Sequence, residues 1–176
     1  MQNNVRIEPL HAAHQFVEKY FPNCQAAVLA GSVVRGEATP TSDLDIVVFD
    51  SELNASYRES FVDFGWPIEV FVHNVTSYKK FFTMDYERAR PSIQKMLAEG
   101  IIIKDDGIVD GLKKEAQEIL DNGPERWSDQ TIDSKRYFIT DVLDDFIGCS
   151  TIQEELFIVN LLAELVSEFI LRTNGK

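Results

Sequence analysis

Up to about residue 107, the hydrophobic pattern changes repeatedly between helical and extended periods. Helices are predicted at about 8–20, 75–87 and 91–99. Between them lie apolar runs of strand length, at 25–30, 43–49, 56–64, 67–73 and 101–104. The third and fourth runs are joined across Gly65-Trp66-Pro67, which favours an antiparallel pair. This pattern predicts an α+β unit.

Beyond that point the pattern is helical only. Three helices are predicted, at about 108–121, 130–147 and 151–172. We therefore expect a first domain over residues 1–106 and a C-terminal helical bundle over residues 107–176, which binds a substrate or a second subunit.

The last predicted helix is apolar around much of its circumference, which is typical of a helix buried in a bundle or at a subunit contact. Little chain follows this helix. We expect a homodimer through it, or a longer protein that completes the bundle.

Composition limits the classes of function. Of the 176 residues two are cysteines, Cys24 and Cys149, without the spacing of a metal site or a disulfide framework. No apolar run reaches membrane-spanning length. These features favour a cytoplasmic protein with no membrane partner.

The net charge of −12 makes a nucleic-acid partner unlikely, because phosphate backbones require a basic surface. The acidic excess lies mainly in residues 106–176, with 15 acidic and 7 basic residues. This excess suits a cationic small-molecule acceptor, but a solvated acidic surface explains it equally well.

Polar residues at two strand ends suggest a site for triphosphate and metal. Gly31-Ser32 ends the first apolar run, while Asp43 and Asp45 open the second. Because side chains alternate along a strand, the two carboxylates project together, about 6–7 Å apart at their Cα atoms. Carboxylates together with substrate phosphates are common ligands of Mg²⁺.

A two-metal site usually needs a third carboxylate. Glu69 is one candidate, because one face of its predicted strand is apolar throughout and the opposite face begins with this carboxylate. Glu59 and Asp63 compete for this role, since they lie at alternate positions of the partner strand.

Together, the Gly31-Ser32 turn, the Asp43-x-Asp45 pair and the later strand with Glu69 resemble the DNA polymerase β-type nucleotidyltransferase superfamily. Residues 25–72 carry this pattern. Within the superfamily, the chain is similar to small bacterial enzymes that include aminoglycoside nucleotidyltransferases. The resemblance implies the nucleotidyltransferase fold for the first domain, with a mixed β-sheet flanked by helices.

The resemblance also implies roles for individual residues. Asp43, Asp45 and Glu69 would be catalytic residues and magnesium ligands, with Glu69 also a candidate to take the proton of the attacking hydroxyl. The residues expected to bind nucleotide are Gly31, Ser32, Arg35 and Ser42. For Arg35, a phosphate-binding role and simple surface placement remain open.

The implied reaction is magnesium-dependent transfer of a nucleoside monophosphate, AMP from ATP, to a hydroxyl of a small molecule. Two Mg²⁺ ions and ATP or another nucleoside triphosphate are the expected cofactors. An aminoglycoside-like antibiotic is the sharpest acceptor hypothesis, and it would make the protein a resistance enzyme. The alternatives are nucleotidylation of a protein partner, as in antitoxin-type enzymes, and nucleotide binding without catalysis.

Acceptor binding has candidates in the predicted helix 130–147. Its apolar stripe is predicted at Ile139, Val142, Leu143 and Phe146. Asp141, Asp144 and Asp145 lie away from that stripe or at its margin. They are candidates for binding cationic groups of an acceptor, against the alternative of a solvated face.

Overall fold

The computed structural model describes residues 6–175. Its helices are α1 (Pro9–Tyr20), α2 (Tyr78–Glu87), α3 (Ser92–Glu99), α4 (Val109–Asn122), α5 (Asp129–Gly148) and α6 (Ile152–Thr173). Its strands are β1 (Ala26–Ala30), β2 (Leu44–Phe49), β3 (Tyr57–Asp63), β4 (Trp66–His73) and β5 (Ile101–Asp105). The chain forms two compact units, one ending at Asn122 and one beginning at Gly123.

The five strands form one mixed sheet in the order β3-β4-β2-β1-β5. Strands β2 and β4 are parallel, and the other neighbouring pairs are antiparallel. The predicted mixed sheet and the antiparallel pair β3-β4 are thereby confirmed.

Apolar cores cover both faces of the central strands. On one face, Ile46 and Val70 pack with Phe16 of α1. On the other face, Val28 and Val47 pack with side chains of α2, α3 and α4. Because both of its faces are covered, β1 is buried at all five positions. Strands of this kind have apolar residues at consecutive positions.

Helix α4 belongs to the first unit. Its Val109, Leu112 and Ala116 are buried in the core beneath the second face of the sheet. The Asp105 carboxylate accepts hydrogen bonds from the two amides just before this helix, Gly107 N at 2.7 Å and Ile108 N at 2.8 Å, and from its first amide, Val109 N, at 3.1 Å. The chain therefore divides after Asn122, whereas the sequence pattern placed the change of character at 106/107.

The second unit contains α5 and α6, which lie side by side in opposite directions. Lys135 Nζ donates to Glu168 Oε2 at 2.8 Å, and the Trp127 ring lies 6.1 Å from the Phe169 ring. Each helix begins at a side-chain cap, Ser128 for α5 and Thr151 for α6.

Apolar side chains of this unit are more exposed than the sequence pattern suggested. Of the expected stripe on α5, Val142 is buried and Ile139 and Phe146 are half-buried, but Leu143 is exposed. None of the residues of α6, all of which are described, is buried. No helix in the described part of the chain is long and apolar enough to cross a membrane.

Candidate active site

The register of the sheet brings the predicted carboxylates together. Asp45 of β2 stands opposite Glu69 of the parallel strand β4. Asp43 lies two residues before Asp45, on the same side of the chain. Ligand oxygens of the three carboxylates lie within 4.8 Å of one another, a separation that fits a shared cation. The cluster lies at the end of the strands where β2 begins and β1 ends.

The tight turn between β3 and β4 decides among the candidates for the third carboxylate. Phe64 and Gly65 both have positive φ, 52° and 80°, as a two-residue hairpin turn requires. This turn pairs Ser60 with Glu69 and Glu59 with Val70. Because cross-strand partners share a face, Glu59 lies on the face of α1, opposite to Glu69.

Asp63 is also on the α1 face. Its carboxylate accepts hydrogen bonds from Lys19 Nζ at 2.7 Å and from the Tyr20 hydroxyl at 3.0 Å. Its position serves the contact between α1 and the hairpin. Glu69 is therefore the carboxylate that joins the Asp43–Asp45 pair.

Gly31 lies directly against the carboxylate cluster. It follows β1 with φ of 81°, a conformation that side chains disfavour. A Cβ atom at Gly31 would overlap the Asp45 carboxylate. The glycine therefore permits both the turn and the close approach of the backbone to the cluster.

The carboxylates repel one another. The pKa of Asp45 is raised to about 6, first by its burial and then by the charges of Asp43 and Glu69. The guanidinium groups of Arg58 and Arg35 oppose this increase. A divalent cation would relieve the repulsion, so the residues present fit a metal such as Mg²⁺.

Arg58 is a site residue that the sequence reasoning missed. It forms an ion pair with Glu69 Oε2, and its guanidinium lies 5.0 Å from the centre of the Phe71 ring. Had the turn been placed at Phe64-Gly65, strand alternation alone would have put Arg58 on the face of Glu69.

The loop after Gly31 contains the other predicted nucleotide-binding residues. Ser32 Oγ donates to Ser42 Oγ at 3.2 Å, and Ser42 Oγ also accepts from the Thr39 amide at 2.8 Å. Arg35 is exposed and forms ion pairs with Glu37 and Glu99, at 2.8 and 3.6 Å. The two serine hydroxyls thus connect the two sides of the loop.

The predicted acceptor residues lie in the second unit. Asp141, Asp144 and Asp145 are exposed on α5. Asp144 and Asp145 line a shallow cavity within this unit, together with Glu154. Their acceptor role stays a prediction.

Comparison with known protein families identifies the family to which this chain belongs. A family model described as a nucleotidyltransferase domain matches residues 12–99. The match runs from α1 to the end of α3 and includes Gly31 and all three carboxylates. The chain belongs to this nucleotidyltransferase family. The predicted superfamily and fold are confirmed.

Solved structures include a nucleotidyltransferase-like protein from Exiguobacterium sibiricum that is similar to this chain. The two are 12% identical, with a TM-score of 0.49, and the similarity covers 96% of this chain and 59% of the other. The chain thus spans little more than half the length of that protein. No curated protein has a significant sequence match.

Proposed function

We propose that this nucleotidyltransferase transfers AMP from ATP to a hydroxyl group of a small cationic molecule, such as an aminoglycoside, in a magnesium-dependent reaction. The observation that carries the proposal is the group of three carboxylates within 4.8 Å, next to a turn at Gly31, where the missing side chain leaves room for the Asp45 carboxylate. A charge of −12 disfavours nucleic acid as the acceptor.

In this reaction the acceptor oxygen forms a bond to the α-phosphorus of ATP. The bond from that phosphorus to the bridging oxygen breaks, and pyrophosphate leaves. Asp43, Asp45 and Glu69 would hold two Mg²⁺ ions, which when bound neutralise charge on the phosphates. Glu69 also accepts the proton of the attacking hydroxyl.

The loop residues bind the triphosphate. The Gly31 backbone approaches it closely, and the hydroxyls of Ser32 and Ser42 donate hydrogen bonds to its oxygens. Arg35 supplies a guanidinium fork, exchanging its exposed partners Glu37 and Glu99 for phosphate.

The acceptor is proposed from charge. The second unit is acidic, and its exposed Asp141, Asp144 and Asp145 would attract ammonium groups of the acceptor. A cationic acceptor predicts that turnover falls as salt concentration rises, because exposed charges are screened.

The test is incubation with α-labelled nucleotides, Mg²⁺, and either a panel of aminoglycosides or a cell lysate. The proposal expects labelled aminoglycoside and released pyrophosphate, abolished in Asp45→Asn and retained in Glu59→Gln. If only a polypeptide becomes labelled, the acceptor is a protein and not a small molecule. Transfer by Asp45→Asn at the normal rate would show that the assigned site is wrong.

A further inference from the structure

Helix α6 carries two apolar stripes, and only one of them faces α5. The first stripe consists of half-buried residues, among them Leu162, Leu165 and Phe169. The second stripe, here called the seam, is exposed at every position. It contains Ile152, Leu156, Val159, Ala163, Val166 and Ile170. Its exposure is substantial, with 66% at Ile152 and 58% at Leu156.

The spacing of the seam is that of a coiled coil. Successive seam residues are 4, 3, 4, 3 and 4 positions apart, the heptad pattern that lets one helix pack along another. The seam contains no charged residue. An exposed apolar stripe of this length is characteristic of an interaction surface.

The same spacing suits a second copy of this chain as the partner. Because the intervals read identically in both directions, an antiparallel copy places a seam residue opposite every seam residue. Ile152 then faces Ile170, Leu156 faces Val166, and Val159 faces Ala163. The small Ala163 side chain lets the two helices approach closely near the twofold axis. Such self-complementarity is what a twofold dimer requires.

Charge favours the same antiparallel arrangement. Residues 141–160, around the connection between α5 and α6, contain five acidic residues and no basic one. All basic residues of the second unit lie outside this stretch, among them Lys135 and Arg172. The rest of the unit, residues 123–140 and 161–176, contains five basic and five acidic residues. An antiparallel dimer therefore sets the acidic end of one copy beside a net neutral end of the other, whereas a parallel dimer would place the two acidic ends together.

We propose that the protein is a homodimer in which two α6 helices pack antiparallel through the seam. This proposal does not depend on the reaction assigned to the first unit.

The first experiment measures the mass of the full chain in solution for the wild type, Leu156→Glu and Phe157→Glu. Phe157 is the matched control, because it is more exposed than Leu156, at 80%, but lies outside the seam. The proposal expects dimers for the wild type and Phe157→Glu, and monomers for Leu156→Glu with unchanged circular dichroism. A monomeric wild type at the highest soluble concentration overturns it, as does equal dissociation of the two variants.

The second experiment tests orientation by disulfide trapping in a Cys24→Ser, Cys149→Ser background. Ile152→Cys and Ile170→Cys chains should cross-link when mixed. Neither should cross-link efficiently alone, because equal positions in an antiparallel pair lie about 27 Å apart along the axis. Efficient trapping of Ile152→Cys with itself contradicts the antiparallel seam.

Discussion

Arg58 of the edge strand β3 forms an ion pair with Glu69, the carboxylate that completes the cluster with Asp43 and Asp45. The arginine thus supplies positive charge where the proposed reaction needs metal ions. Its side chain is 62% exposed, so it can leave Glu69 without unfolding the strand.

A first prediction concerns the competition between Arg58 and metal. Arg58→Gln removes the cation that occupies Glu69 and strengthens the negative field at the cluster. We expect Mn²⁺, without nucleotide, to bind several-fold more tightly, on the order of 1 kcal/mol for one charge near the surface. Titration calorimetry measures the affinity.

The matched control for this charge change is Arg136→Gln. Arg136 is 66% exposed and pairs with Asp133 in the second unit. Equal Mn²⁺ affinity in the wild type and both variants would show that Arg58 does not compete for the cluster.

A second prediction uses two glycines. Gly31 and Gly36 have similar positive φ, 81° and 72°, so alanine costs both about 1 kcal/mol in backbone strain. A Cβ at Gly31 overlaps Asp45, whereas a Cβ at Gly36 meets no atom of residues 6–175, the described range, within 4 Å. Gly31→Ala should therefore lose at least about tenfold in metal affinity, and Gly36→Ala should not. Equal losses would mean that only backbone strain matters.

A third prediction concerns pH and stability, through His73. This residue is 3% exposed and packs near the rings of Phe49 and Phe81. Neither of its ring nitrogens has a hydrogen-bond partner among the residues that the structure describes. Burial lowers the pKa of His73 to about 4, with Asp85 of α2 opposing the shift. His73 is thus the buried last residue of β4.

The direction of this pH dependence follows from the linkage between protonation of His73 and folding. The unfolded chain takes up a proton on His73 below its ordinary pKa of 6.5, while the folded chain resists protonation until about pH 4. His73 therefore has little effect above pH 6.5 and destabilises the fold increasingly as the pH falls towards 4, by about 2 kcal/mol at pH 5. Denaturant titrations at pH 7 and pH 5 measure this effect. When the pH is lowered from 7 to 5, the free energy of unfolding should fall less for His73→Phe than for the wild type. Parallel losses would exclude this role.

The sequence predicted those site residues whose positions follow from alternation within a single strand. Alternation within one strand places Asp43 and Asp45 together without knowledge of the partner strands. The choice of Glu69 over Glu59, and the presence of Arg58, depend on the register of the β3-β4 hairpin. That register follows from the turn at Phe64-Gly65. Non-glycine residues rarely adopt a positive φ, so the sequence did not indicate that Phe64 belongs to the turn.

The fold shows the same limit. Helix α4 was predicted within a residue of its bounds, yet its packing against the sheet through Val109 and Leu112 was not. A helical pattern identifies an apolar stripe, but not the surface against which the stripe packs. For α6 the pattern indicated an apolar helix, and only the structure showed that the seam faces away from α5.

The central claim is that Asp43, Asp45 and Glu69 form a catalytic metal site. The most direct measurement is binding of α,β-methylene ATP with Mg²⁺, which needs no acceptor, to the wild type, Glu69→Gln and Glu59→Gln. The two substitutions make the same chemical change on opposite faces of the β3-β4 hairpin. The account predicts that Glu69→Gln binds at least about tenfold more weakly while Glu59→Gln binds like the wild type. Unchanged binding by Glu69→Gln would contradict it.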